Sequence, residues 1–413
     1  MRSPKPSHPI TRRSWVFLLL AVLLYFAANQ TQVPWLYVFT TAALGVWLAA
    51  GLMARGNLRG LRLTRRINGA EVLEYELTVG DTVTVELELH NRSGLPALQV
   101  AGAEWCEFAP PEERAQPFFL TVPARGKITL SYETVAARRG WFEFPPLTVR
   151  SRAPFGLFNT QRALVQPTGV LIFPEYREIS RFPLLDRKPS VQNPFAQVGL
   201  GTEFVGVREY RPGDSPRHVH WRSTARVNEL VVKEFSEETQ PGLTIALDVR
   251  PASIIGAESD NTLERAIKVA ATLAHYAAQR GLPVNMASNS RALPSPTGPV
   301  SRWAAMNYLA RLEPDDGPSL TESLHNLRAS VFVAVLYPSP DPATLAPLLE
   351  MKKQGVTALA VLIDPAIFQP ELAGQAQALA AALRAQGIGV RIIGNEPDWE
   401  QTLIADDRSA TRY

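Results

Sequence analysis

Residues 199–235 read GLGTEFVGVREYRPGDSPRHVHWRSTARVNELVVKEF. Charge, glycine and aromatic rings are packed too densely here for an ordinary linker. Glu203, Arg208, Glu209, Arg211, Asp214, Arg217, Arg222, Arg226, Glu229, Lys233 and Glu234 are interleaved with Phe204, Tyr210, Trp221 and Phe235. Opposite charges at this density, with rings between them, imply a folded polar network. Gly213 suits a turn position with positive φ, Asp214 can then cap a short helix, and Arg217 falls one turn on along the same side. Such a network either locks two domains together as a structural ion-pair cluster or presents a substrate or partner surface, since both kinds of site collect perturbed charges.

Upstream, the chain opens on two apolar segments, Trp15 to Ala28 and Val33 to Ala54, with no charged residue in either or in the Asn29-Gln30-Thr31-Gln32 connection. At 1.5 Å per residue the second reaches about 33 Å and the first about 21 Å, so the first must recruit neighbours such as Ser14 and Asn29 to cross a bilayer. The pair reads as a transmembrane helical hairpin rather than a cleaved leader, because a second span follows at once. Residues 1–70 hold nine Lys or Arg and no Asp or Glu: Arg2, Lys5, Arg12 and Arg13 precede the hairpin, and Arg55, Arg59, Arg62, Arg65 and Arg66 follow it. Positive charge on both flanks places both, and Cys106 with them, in the cytoplasm. The formal charge of +3 therefore gathers beside the membrane, the remainder is net acidic, and a nucleic-acid partner loses its support. A single cysteine allows no internal disulfide and no cysteine metal cluster.

From Leu61 to about Pro174 the hydrophobic period changes to two. Thr82 to His90 alternates polar and apolar residues, and Asn91-Arg92-Ser93-Gly94 supplies a turn. Further strands are expected at Phe118 to Val122, Lys127 to Thr134, Trp141 to Phe144, Leu147 to Ser151 and Gly169 to Phe173. Turns at strand-length spacing, without a helical run, predict an antiparallel β sandwich of immunoglobulin-like kind. Beyond Gln240-Pro241-Gly242 apolar strands alternate with helices. The strands are Leu243 to Val249, Pro283 to Ala287, Val331 to Leu336, Thr357 to Ile363 and Gly387 to Ile393. One helix opens on the capping box Asn261-Thr262-Leu263-Glu264 and runs to Arg280; others lie near Ser301 to Leu312, Pro342 to Gln354 and Glu371 to Gln386. This alternation predicts a mainly parallel, doubly wound α/β domain. The chain is thus expected to divide into a membrane anchor over 1–60, a β sandwich over 61–175, the charged segment over 176–240 and the α/β domain over 241–413.

The pattern Gly201-x-Glu203-Phe204, then Arg208-x-Tyr210-x-x-Gly213-Asp214-x-x-Arg217, then Trp221-x-x-Thr224-Ala225-Arg226 and Val232-Lys233-Glu234-Phe235 resembles the signature of the bacterial "domain of unknown function 58" family. Arg139-Gly140-Trp141 and Pro154-Phe155-Gly156-Leu157-Phe158 match its pattern as well; read from the residues alone they are turns and aromatic core plugs. The resemblance implies a bacterial inner-membrane, multi-pass protein with a β-rich region before the signature and a von Willebrand factor A-like domain after it. It also implies a MoxR-type AAA+ ATPase as partner. The signature network, structural or partner-binding, then comprises Glu203, Arg208, Tyr210, Gly213, Asp214, Arg217, Trp221, Arg222 and Arg226. His220 stands where the family usually has an aspartate before the tryptophan.

Metal-dependent A domains present Asp-x-Ser-x-Ser at the end of the first strand, giving Mg²⁺ hard oxygen ligands. This chain has Asp248-Val249-Arg250-Pro251-Ala252 instead, which makes Asp248 a degenerate metal position whose charge Arg250 can neutralise. Asp341, before Pro342, reads as a helix N-cap. No metal or cofactor is expected. The chain has no phosphate-binding Gly-x-x-x-x-Gly-Lys loop, no Gly-x-Ser-x-Gly elbow and no His-Glu-x-x-His. The nearest constellation, Asp214, His218, His220 and Ser223, puts its two histidines two residues apart on different sides, with no second ligand pair nearby. The function expected is that of a membrane-anchored, non-catalytic scaffold or adaptor whose A-like domain and 199–235 network bind protein, working with a MoxR-type ATPase on membrane or envelope complexes. The alternatives are a hydrolase using Asp214, His218 and His220, and a metal-dependent ligand-binding A domain centred on Asp248.

Overall fold

The computed structural model describes residues 10–69, 76–110, 112, 115–186, 198–199, 203–210, 219–227, 229–236, 242–257, 260–320, 332–353 and 356–405. The chain forms two compact units, Met1–Phe173 and Pro174–Tyr413.

The first unit begins with two helices, α1 (Arg12–Thr31) and α2 (Pro34–Asn57). Thr11 caps α1, its Oγ1 accepting the Ser14 N–H at 3.3 Å, and Gln32 in the left-handed conformation ends it. Pro34, with no N–H to satisfy, sits in the first turn of α2. The first helix recruits Ser14 and Asn29, as its short apolar run requires. Ser14, Ala21 and Ala28, seven residues apart, are buried on α1, and Thr40, Ala50 and Ala54 are buried on α2. Small side chains let two helix backbones approach closely. Trp47 Nε1 donates to Ser14 Oγ at 2.8 Å across the pair. The large apolar side chains, among them Trp15, Leu19, Leu23, Phe26, Trp35, Phe39, Leu48 and Leu52, are exposed. Both helices are long and apolar enough to cross a membrane.

The end of α2 is tied to the strands that follow. The Asn57 amide donates to Leu98 O at 2.9 Å and Ser151 Oγ at 2.7 Å, and its oxygen accepts the Leu98 N–H at 2.8 Å. Ten strands follow: β1 (Leu61–Ile67), β2 (Leu77–Thr78), β3 (Thr82–Asn91), β4 (Ala97–Ala103), β5 (Phe118–Val122), β6 (Lys127–Val135), β7 (Gly140–Glu143), β8 (Leu147–Ser151), β9 (Thr160–Leu164) and β10 (Gly169–Phe173). They form sheets of order β1-β3-β6, β5-β4-β8-β9 and β2-β10-β7 around one core. On β3 the period of two buries Val83, Val85, Leu87 and Leu89 completely. The six strands expected from alternation are present; β1, β2, β4 and β9 complete the sheets. One pairing departs from the antiparallel expectation: β2 runs parallel to β10 over two residues.

Arg65 is the main correction to the charge reading. By sequence it belongs to the basic flank of the hairpin, yet its side chain is fully buried. The cause is the strand period: Leu61, Leu63, Arg65 and Ile67 all point inward from β1. Its guanidinium pairs with the fully buried Glu104, donates to Pro145 O at 3.3 Å and Gln166 O at 3.4 Å, and lies 4.5 Å from the Phe144 ring centroid. Tyr132 Oη donates to the other Glu104 oxygen at 2.7 Å. Burial, and then the Glu104 charge, push the Tyr132 phenol well above its ordinary range. Cys106 lies beside it, its Sγ 3.6 Å from Tyr132 Oη, and burial pushes the thiol up to about 12. A buried, protonated thiol is a poor target for thiol reagents.

The second unit contains α3 (Pro183–Asp186), β11 (Val198–Gly199), β12 (Glu203–Glu209), α4 (Trp221–Val227) and β13 (Val231–Ser236). Strand β13 pairs antiparallel with both β11 and β12. Next come β14 (Leu243–Leu247), α5 (Thr262–Gln279), β15 (Val284–Ser288), α6 (Arg302–Arg311), β16 (Phe332–Tyr337), α7 (Leu345–Lys353), β17 (Thr357–Ile363), α8 (Gln375–Ala385), β18 (Gly389–Ile393) and α9 (Glu400–Ile404). The expected cap on α5 is present, Asn261 Oδ1 accepting the Glu264 N–H at 2.9 Å. The helix expected over Glu371 to Gln386 is interrupted, because Gly374 adopts φ 89° and separates a short 3-10 turn from α8. Strands β14 to β18 make one parallel sheet of order β15-β14-β16-β17-β18. Val333, Val335, Ala360 and Leu362 share a core with Leu348 and Met351 of α7 and Leu379 and Leu383 of α8. Helix α5 is buried along most of its length. The chain leaves β14 to one side for β15 and returns on the other side for β16, so the switch point lies between β14 and β16.

Replacing Arg65 with Met should destabilise the chain by about 3–5 kcal/mol, because Glu104 is left charged and unpaired in the core. Adding Glu104→Leu should recover much of that loss. A double-mutant cycle in urea on the solubilised chain measures it, and additive effects would show that the pair does not act as a unit.

Candidate functional site

In open parallel sheets ligands and partners meet the crevice outside the carboxyl ends of the strands, at the switch point. Here that crevice is lined by the residues after β14, β15 and β16. Asp248 follows β14 and is almost wholly buried. Its carboxylate accepts Arg250 Nη2 at 2.6 Å, Arg250 Nε at 3.0 and 3.2 Å, the Arg250 N–H at 3.1 Å and Asn289 Nδ2 at 2.8 Å. Arg250 Nη2 also reaches Asp341 Oδ2 at 3.3 Å, so one guanidinium bridges the loops after β14 and β16. Hydrogen bonding to Asp248, first, and its charge hold the guanidinium proton still more firmly than usual. The neutralisation of Asp248 by Arg250 expected from the sequence is present in the geometry. Asp341 also caps the turn it opens, accepting the Ala343 N–H at 2.9 Å.

Two residues that the sequence did not single out complete this end of the sheet. Asn289, after β15, accepts the Val249 N–H at 2.9 Å and donates to Pro318 O at 2.9 Å, stitching three loops. Asp315 accepts the Ala292 N–H at 2.8 Å, the Ser290 hydroxyl at 2.9 Å and the Arg291 N–H at 2.5 Å; these bonds, that from Ala292 foremost, hold its carboxyl below the usual range. A polar residue directly after an apolar strand, as in Met286-Ala287-Ser288-Asn289, was the available signal. Tyr337, at the end of β16, is fully buried, and burial together with the charges of Asp248 and Asp341 pushes its phenol up. Among the described residues no group of three or more His, Cys, Asp or Glu could hold a metal ion. What the cluster does chemically is close a charge circuit with an internal cation.

The second candidate is the signature segment. Gly213, Asp214, Arg217 and His218 lie outside the described residues, as do the side chains of Glu203 and Arg208 on β12. Trp221, Arg222 and Arg226 lie on α4, and Tyr210 follows β12. Tyr210 donates its N–H to Leu230 O at 2.9 Å, and His220 donates its N–H to Val231 O at 2.8 Å. Val231 in turn donates its N–H to Thr224 Oγ1 at 3.2 Å. Trp221 is 68% exposed, and Tyr210, Leu230, Arg222 and Arg226 are exposed with it. His220 Nδ1 accepts the Ser223 N–H at 3.3 Å and lies 2.7 Å from Ser223 Oγ. That nitrogen therefore carries the lone pair and caps the first turn of α4, the service an aspartate at this position would give.

Residues 206–334 match the family model described as "Protein of unknown function DUF58". The chain is 24% identical over 285 residues to the "Uncharacterized protein YeaD" of Bacillus subtilis (strain 168), a match covering 66% of each chain. That is just under two thirds of the relative's length. Among solved structures, the CARDB domain of a Pyrococcus furiosus protein is 10% identical over 27% of this chain and 94% of its own, at a TM-score of 0.18. A GH20 exo-β-N-acetylglucosaminidase from Vibrio harveyi is 10% identical over 81% of this chain and 75% of its own, at 0.19. Geometric overlaps this slight carry no argument about fold or activity.

Arg250→Ala should cost about 3 kcal/mol, since it strands the buried Asp248 carboxylate, and Asp248→Asn in the same chain should restore part of the loss. The unsubstituted chain should melt at the same temperature in EDTA and in excess Mg²⁺, because a cation that bound only the native state would raise the midpoint. Thermal denaturation of the three chains reads both effects. A Mg²⁺-dependent rise in the unsubstituted chain would reinstate Asp248 as a metal ligand.

Proposed function

We propose that this chain, which carries the DUF58 family segment in residues 206–334, is a membrane-anchored, non-catalytic adaptor that binds a protein partner through the surface around α4. The observation that carries this reading is the exposure of Trp221, Arg222 and Arg226 on α4, with Tyr210 and Leu230, joined by a backbone hydrogen bond, exposed as well. Tryptophan, tyrosine and arginine are the residues in which interface energy concentrates. An exposed tryptophan among arginines on a well-fastened short helix is suited to docking rather than to chemistry. The capping role of His220 supports the same view, since its Nδ1 is engaged in holding α4.

The two apolar helices support an anchor in the bacterial inner membrane with both flanks cytoplasmic, as the surrounding arginines imply. In this proposal the strands of the first unit form an immunoglobulin-like spacer. The parallel sheet of the second is a von Willebrand factor A-like domain whose metal position is occupied by Arg250. The partner is a MoxR-type AAA+ ATPase, and the pair acts in assembling or activating membrane or envelope complexes. The partner and its client are inferred from the family resemblance.

Trp221→Ala should lower partner capture about tenfold or more, the effect of truncating a hot-spot residue, while leaving the thermal midpoint unchanged. The measurement is a crosslinking pull-down of the purified ATPase from solubilised membranes, with and without ATP. Capture equal to that of the unsubstituted chain would remove the α4 surface from the proposal.

The topology has its own test. Because Cys106 is buried and protonated, a cysteine must be placed elsewhere, and Leu120, 68% exposed on β5, is suitable. A membrane-impermeant thiol reagent should leave Leu120→Cys unlabelled in intact cells and label it after lysis. Efficient labelling of whole cells would reverse the assignment of the first unit to the cytoplasm.

A further inference from the structure

We propose that Phe155, at the tip of the loop between β8 and β9, enters the lipid headgroup layer as a third membrane contact beside the two helices. The proposal rests on the hairpin spanning a membrane, and it concerns a loop whose aromatic residues were expected to be core plugs. Phe158 is half-buried, and it packs on α2 rather than in the core. Its ring lies tilted at 54° to that of Trp47 on α2, with centroids 5.4 Å apart, and a side chain at Gly51 would meet it at 3.2 Å. Phe155 is 60% exposed.

The loop is fastened to the hairpin itself. Thr11 Oγ1 donates to Gly156 O at 2.8 Å and Leu157 O at 2.9 Å, and the Thr11 N–H donates to Leu157 O at 3.0 Å. Gly156 has φ 72°, and a side chain there would meet the Arg13 guanidinium at 3.5 Å. The tip is therefore held beside Thr11 at the N-terminus of α1, while the Phe158 ring behind it reaches Trp47 and Gly51 of α2.

Gly51 lies near the edge of the apolar surface. On α2 the exposed apolar side chains continue past Gly51 to Leu52 and Met53, and the first basic residue is Arg55. Pro34 to Met53 is twenty residues, about 30 Å of helix, which matches the hydrocarbon thickness. The boundary then falls one turn below Gly51, where Arg12, Arg13, Arg55 and Arg152 are exposed and suited to lipid phosphates. An exposed phenylalanine fastened to the start of α1, whose first turns expose Trp15 and Val16, has lipid as its matching surface.

The test uses the full chain with Cys106→Ala, reconstituted in vesicles of phosphatidylcholine and phosphatidylglycerol that contain a lipid doxyl-labelled near its headgroup. Single cysteines at Phe155→Cys, Val16→Cys and Val135→Cys carry an environment-sensitive NBD label. Val135 is the distant control: Leu61 pairs with Asn91 and His90 with Lys127 at the hairpin end of β3 and β6, whereas Val135 pairs with Thr82 at the other end, about 26 Å away. Labels at 155 and 16 should be blue-shifted and quenched to a similar extent, and the label at 135 should not. Quenching at 16 with none at 155 overturns the inference while the hairpin stands. A blue shift at 155 without quenching means that protein covers the tip, which also overturns it. No quenching at 16 removes the membrane hairpin, and this inference with it.

Discussion

A carboxylate taken out of water must be neutralised, and in both units an arginine does it. In the first unit Glu104 is held by Arg65, with Tyr132 on its second oxygen; in the second Asp248 is held by Arg250, with Asn289 beside it. Neither pair is a surface ornament. Arg65 spans from β1 to the segments that carry Phe144, Pro145 and Gln166, so it orders loops that apolar contact alone leaves free to slide. Arg250 ties the ends of β14 and β16 across the switch point. A buried ion pair contributes little net stability compared with an apolar replacement, but losing one partner is costly, so each pair specifies which loops belong together.

The hairpin and the strands of the first unit are built as one piece. Asn57 ends α2 by bonding to the backbone of β4 and to Ser151 of β8, while Thr11 and Phe158 join the start of α1 and the middle of α2 to the loop after β8. An anchor connected in this way fixes the height and tilt of what it carries more firmly than a flexible tether would. Fastening of this kind removes conformational freedom in advance, and a segment already ordered loses less entropy in any later association.

The family signature is divided between two kinds of work. Some of its residues build: Thr224 and the residue at position 220 fasten α4 to β13. Others, Trp221, Arg222 and Arg226, are displayed. A sequence pattern records both as fixed positions and does not separate them, since a capping residue and an exposed residue occupy consecutive places on the same turn.

Periodicity by itself determined the two apolar helices, the alternating strands from Thr82 onward and the strand–helix succession after Gly242, because each depends on hydrophobic spacing within one short segment. The comparison with metal-dependent A domains pointed to Asp248 and to Arg250, two residues apart in the chain. What only the tertiary structure decided was the partnership of distant residues. Arg65 looked like one more flanking cation until β1 turned it inward onto Glu104, thirty-nine residues away. Asn289 and Asp341 joined Asp248 because parallel strands bring their carboxyl ends together irrespective of their separation in sequence. Side-chain spacing is a local property that a linear chain displays, whereas the neutralisation of a buried charge depends on which segments pack together, and that is settled only when the sheets close.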